Sequence, residues 1–176
     1  MLRRVGRAVS CMAAVAVGLL GVAPASVAAT LPKAIEFWGM KPNYVAVRPE
    51  ALTWHTDLGP SFNGVTGNRK GQGPVGAISW TSWTAAAATG SGDLWVPHEH
   101  GQTISWTTYP ARLRFSVPRT LSVAVVGTPN FFYEPMILFT RITVSFKAKV
   151  PARWRRSASF TLKRNAPGLY GFAFPR

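Results

Sequence analysis

Acidic residues are scarce in this chain, six against twenty lysines and arginines, giving a formal charge of +14 over 176 residues. The paired carboxylates that cleave glycosidic bonds would have to come from those six, which lie scattered along the sequence. Cysteine is rarer still. Cys11 is the only one, and it precedes an apolar run instead of ending it, which argues against a lipid anchor at that thiol. After residue 29 no disulfide can form and no thiol can act as a nucleophile. Residues 30–176 also contain no window of sustained helical spacing, and the segment 80–96 has neither the GK[ST] ending of a phosphate loop nor the GxGxxG fingerprint. The Gly-Ser-Gly at 90–92 therefore reads as a hairpin turn, not a nucleotide site.

What is present begins with an export signal. Arg3, Arg4 and Arg7 precede the apolar run Ala13–Val22, and Pro24 is followed by the small residues ASVAA. This is the order of charged region, apolar region and cleavage site in a secretory signal peptide. The apolar run is ten residues long, about half of a membrane crossing, so no transmembrane segment is expected in the mature chain. Cleavage is expected after Ala29 or one residue earlier. The expectation is a signal at 1–29 and one secreted β-rich domain at 30–176, with a long Gly-rich loop at 57–76.

The charge is unevenly placed. Losing Arg3, Arg4 and Arg7 takes the formal charge from +14 to +11. Between Thr30 and Tyr109 five basic residues balance five acidic ones, whereas from Pro110 onward twelve basic residues face Glu134 alone. Such lopsidedness creates an oriented field.

Short runs with a period of two, bounded by turn residues, predict an all-β protein: a single antiparallel β-sandwich or small barrel. Alternation assigns faces. In 141–150 Arg141, Thr143, Ser145, Lys147 and Lys149 oppose Ile142, Val144, Phe146, Ala148 and Val150. In 111–117 Arg112, Arg114 and Ser116 oppose Ala111, Leu113, Phe115 and Val117. In 159–163 Ser159, Thr161 and Lys163 oppose Phe160 and Leu162. Should the three strands be neighbours, their outer faces make a positive plate, with Arg153, Arg155 and Arg156 around Trp154 at its rim. Trp80 and Trp83 have opposite parity, which sends one to the core and the other to a more exposed face.

Several of these stretches carry a resemblance. Arg48-Pro49, Ile78-Ser79-Trp80-Thr81-Ser82-Trp83, Ala88–Gly92, Tyr109-Pro110-Ala111 and Phe139-Thr140-Arg141-Ile142-Thr143-Val144 are the residues that carry it. They are similar to small secreted proteins of high-GC Gram-positive (actinobacterial) type. Those proteins share a W-S-x-W motif, a Y-P-x-x-x-x-L-x-x-P strand and an F-T-R-x-T-V-x-F strand. The likeness spans residues 42–163 and brings no activity with it. Many members have C-x-P-x-C where this chain has Val96-Pro97-His98-Glu99-His100, so the disulfide that the resemblance implies has no cysteines here.

His98 and His100 sit at i and i+2, a spacing that turns both imidazoles to one side of an extended chain. Zinc needs three or four donors, and His55 is the one other nitrogen ligand, so no metal or other cofactor is assigned. His55 and Asp57 lack a nucleophile elbow to complete a hydrolytic triad. The leading expectation is a secreted, non-catalytic, envelope-associated module. Its anion-binding residues would be Arg112, Arg114, Arg141, Lys147, Lys149, Arg153, Arg155, Arg156 and Lys163, with Trp154 as an aromatic contact. Its partner would be an anionic polymer, lipid head groups or an acidic protein. Export argues against a specific nucleic-acid role. The alternatives are a secreted hydrolase acting on envelope material and a partner subunit that uses the 127–136 loop.

Overall fold

The computed structural model describes residues 30–38, 44–54, 60–64, 74, 76–126 and 131–175. The expected signal at 1–29, His55 and Asp57, most of the expected 57–76 loop and residues 127–130 lie outside those residues. The protein is all-β, and no helix among the described residues is long and apolar enough to cross a membrane. Ten strands form one curled, largely antiparallel sheet: β1 (Ala34–Trp38), β2 (Tyr44–Ala46), β3 (Leu52–Trp54), β4 (Ser61–Asn63), β5 (Ser79–Trp83), β6 (Ala87–His100), β7 (Thr103–Val126), β8 (Phe131–Phe146), β9 (Ser157–Ala166) and β10 (Leu169–Phe172). Their order is β10-β9-β8-β7-β6-β4-β3-β1-β2, and β5 pairs with β6 off this path.

The sheet bends back on itself. Lys33, just before β1, forms a parallel bridge to Leu138 of β8; its N–H donates to Ile137 O at 2.8 Å, and its carbonyl accepts from Phe139 N at 3.1 Å. That contact takes over the edge of β8 that β9 leaves after Arg141. From there β9 and β10 turn away as a hairpin whose tip reaches β7, Ala124 N donating to Gly168 O at 2.9 Å. The curled sheet encloses two aromatic nests. Trp80, Trp83, Phe139 and Phe172 surround Phe115, while Phe62, Phe146, Phe160 and Phe174 surround Trp154. Contact between Phe172 and Phe174 joins the nests at a centroid separation of 6.0 Å.

The expected inner faces of β7 and β8 are inner. Leu113, Phe115, Ile142, Val144 and Phe146 are buried, and Phe160 and Leu162 are half-buried against the same core. Other local expectations need correction. The 90–92 turn is instead the middle of β6, and the chain reverses earlier, at Thr84–Ala87, where Thr84 N donates to Ala87 O at 2.9 Å. The glycines answer close approaches: a Cβ on Gly90 would stand 2.6 Å from the Trp80 ring, and one on Gly92 would meet the Asn63 carbonyl. Ser61–Asn63, inside the expected 57–76 loop, is the buried strand β4. Trp80 and Trp83 share the inner side because the register slips between Trp80 and Ser82, and this bulge cancels their opposite parity. Pro110 lies within β7 opposite Asp93, and its carbonyl accepts from Lys147 N. Finally, β8 ends at Phe146, so Lys147–Val150 is not strand.

Candidate functional site: a hydroxyl and guanidinium face

The strands of the expected plate are neighbours, in the order β9-β8-β7-β6, and their register builds the outer face rung by rung. One rung runs Ser79, Ser91, Arg112, Ser145, Ser157 from β5 to β9. The next runs Ser82, Thr89, Arg114, Thr143, Ser159. A third places Arg141 between Ser116 and Thr161. Side chains at i and i+2 on a strand are separated by about 6.8 Å, so Arg112 and Arg114 repeat at roughly that spacing, each between two hydroxyl residues.

The hydroxyls are already ordered. Thr143 and Ser159 bond across β8 and β9 at 2.7 Å, and Ser145 and Ser157 at 2.8 Å. On the opposite flank the Thr89 hydroxyl bonds those of Thr81 at 2.9 Å and Ser82 at 2.7 Å. Between these flanks lies an open hollow of about 530 Å³. Arg112, Arg114 and Lys147 line it with Thr89, Ser91 and Ser145, and no carboxylate is among its described lining residues.

The remaining basic residues are dispersed. Lys149 is exposed in the turn after β8, and Lys163 is exposed on β9 opposite Gly171 of β10, beyond the pairing with β8. Arg153, Arg155 and Arg156 are exposed in the turn at 152–156. That turn is anchored from the core side. Trp154 stacks on Phe174 at 5.3 Å and meets Phe146 and Phe160 edge-on at 5.4 and 5.3 Å. Trp154, expected as a ligand-contacting aromatic, is half-buried and packs its ring against the core. A tryptophan between arginines reads as exposed only as long as the turn is assumed to project outward.

Two residues on the outer side of β6 carry no signal in the sequence that marks them out. Asp93 is 5% exposed and Trp95 1%, and Oδ1 of Asp93 and Nε1 of Trp95 are buried with no hydrogen-bond partner among the described residues. Burial pushes the Asp93 carboxyl above the usual aspartate range, and the Lys147 ammonium partly opposes this. Folded protein then holds this proton to higher pH than unfolded protein, so stability falls as pH rises above the ordinary aspartate range. Asp93→Asn should match the parent in acid and gain relative to it as pH rises past that range. Urea titrations at a series of pH values test this, and a difference that is constant with pH would contradict it.

His98 is exposed and its Nε2 bonds the Thr107 hydroxyl at 2.9 Å. Among the described residues no three His, Cys, Asp or Glu side chains are grouped to hold a metal ion. No family model, curated protein or solved structure matches the chain.

Proposed function

We propose that this is a secreted, non-catalytic module of the cell envelope, of the same kind as the actinobacterial secreted proteins its motifs resemble, and that the outer face of β6–β9 binds an anionic polymer or lipid surface. One observation carries the proposal: two successive rungs each set a guanidinium between hydroxyls, and Lys147 extends the same hollow. Gathering three cations around a hollow whose described lining has no carboxylate costs self-repulsion that mixed charges would avoid. A polyanion offsets that cost, and the flanking hydroxyls suit an oxygen-rich chain. Retention on immobilised polyanion and on vesicles containing anionic phospholipid tests the proposal. The combined change Arg112→Gln, Arg114→Gln and Lys147→Gln should abolish retention without moving the unfolding midpoint, whereas Arg153→Ser, Arg155→Ser and Arg156→Ser together should weaken it less. Equal retention of parent and plate variant would reduce the face to a solubility device.

One observation favours a second reading, a protein-partner subunit. Phe132 and Tyr133 at the start of β8 are 47% and 56% exposed, large values for adjacent aromatics. The side chain of Phe131 and residues 127–130 of that loop lie outside the described residues. Under this reading Phe132→Ser would abolish association with a partner while leaving polyanion retention intact.

A further inference from the structure

We infer that a second hollow, between the β9–β10 hairpin and the β7–β8 arm, is a discrete site for an amphiphilic phosphate monoester, a phosphate group carried on an apolar chain. The hollow has a volume of about 340 Å³. Arg119 of β7, Arg141 of β8 and Arg164 of β9 line it together with Leu121, Leu162 and Tyr170. None of its described lining residues is acidic.

Three strands thus contribute one arginine each to the lining of a single hollow, and Arg164 Nε donates to the Ala166 carbonyl at 3.4 Å. Exposed like charges gathered this way repel one another, and a dianion relieves that repulsion in one step. Guanidinium forks match phosphate oxygens in bidentate geometry, and three forks fit a doubly charged phosphate better than a single carboxylate. The rest of the wall sets the second half of the ligand. Leu121, Leu162 and Tyr170 are half-buried and leave apolar surface beside the guanidinia, surface that a bare inorganic ion would not use.

The hollow is also rigidly framed. The Tyr170 hydroxyl donates to Ser122 O at 3.3 Å, and Gly168 O accepts from Ala124 N, so the hairpin is tied to the arm on the far side. Val117, which lines the hollow, has φ +56°, a conformation that a β-branched residue rarely adopts. Its carbonyl accepts from the buried Thr140 hydroxyl at 2.7 Å. Strained backbone held by its surroundings concentrates at ligand clamps, and this strain lies in the wall of the hollow. The site shares Arg141 and Thr161 with the outer face and does not depend on the envelope proposal.

The test is calorimetric titration of the full secreted chain with hexyl phosphate and, separately, with inorganic phosphate. Hexyl phosphate should bind at least tenfold more tightly than inorganic phosphate. Arg119→Gln or Arg164→Gln should each weaken it tenfold or more, as expected for removing one charge-assisted hydrogen-bonding partner. Leu121→Ser should remove the preference for the alkyl ester while sparing inorganic phosphate. Arg112→Gln on the outer face should leave the preference for hexyl phosphate over inorganic phosphate unchanged, which separates failure of this site from failure of the plate. Thermal midpoints of all variants establish that they fold. Equal affinity for the two phosphates, or no response to Arg119→Gln and Arg164→Gln in folded protein, would overturn the inference.

Discussion

Phe115→Ala should cost about 3–5 kcal/mol of folding stability, the range for deleting a buried aromatic and leaving its cavity. Phe115 is fully buried on the inner side of β7, stacked on Phe139 at 5.9 Å and tilted against Trp80, Trp83 and Phe172. Each aromatic pair adds about 0.5–1.5 kcal/mol beyond burial, so the upper part of the range is expected. Domains of this size have about 5–15 kcal/mol in total, and the variant should approach marginal stability. Urea unfolding followed by tryptophan fluorescence measures it, since Trp80 and Trp83 report on the same nest. A midpoint equal to the parent's would mean that the faces of β7 are reversed and that the arginines opposite Phe115 are not where the register puts them.

The second large effect is expected at Gly92. A Cβ there would collide with the Asn63 carbonyl oxygen and stand 3.5 Å from Ile78 Cγ1. The obstacle is backbone, part of the β4–β6 pairing through Asn63 and Asp93, so no side-chain rotation relieves it. Gly92→Ala should therefore destabilise by about 1–3 kcal/mol or more through overpacking. Gly90→Ala should disturb mainly the Trp80 ring, whose Cε3 would be 2.6 Å from the new carbon. A red-shifted, more solvent-exposed tryptophan emission should appear in Gly90→Ala and not in Gly92→Ala. If Gly92→Ala unfolds at the parent's urea concentration, β4 does not lie against β6 as described.

The strand faces were legible because a period of two survives wherever a strand is regular and one side is buried. Arg112, Arg114 and Arg141 could be placed opposite Leu113, Phe115 and Ile142 on that basis alone, and the structure agrees. Alternation leaves open whether β7, β8 and β9 are neighbours, and the sheet order makes them so. What could not be read are features set by contacts distant in sequence. The bulge in β5 that unites Trp80 with Trp83 has no local mark. Gly90 and Gly92 suggest a turn, yet serve a strand because a ring and a carbonyl press against them. Trp154 enters the core because Phe62 and Phe174, far away in the chain, leave it a place. The hydroxyls of Thr81 and Thr89 join the candidate site only once β5 and β6 are set beside β7. The three arginines of the second hollow come together only because the β9–β10 hairpin turns away from β8 after Arg141.

The outer face is tested most directly by the salt dependence of polyanion binding. Each cation–phosphate pairing that is removed lowers the slope of log K against log salt by roughly 0.7–0.9. Affinity for a defined polyphosphate, measured from low to physiological salt, should fall steeply for the parent. With Arg112→Gln, Arg114→Gln and Lys147→Gln combined, the slope should shrink by about 2–3 in magnitude, the value for three such pairings on that scale. The unfolding midpoint should not change. A slope unaltered by the triple change, in a protein that still binds and is equally stable, would contradict the account and place the anion-binding surface elsewhere on the molecule.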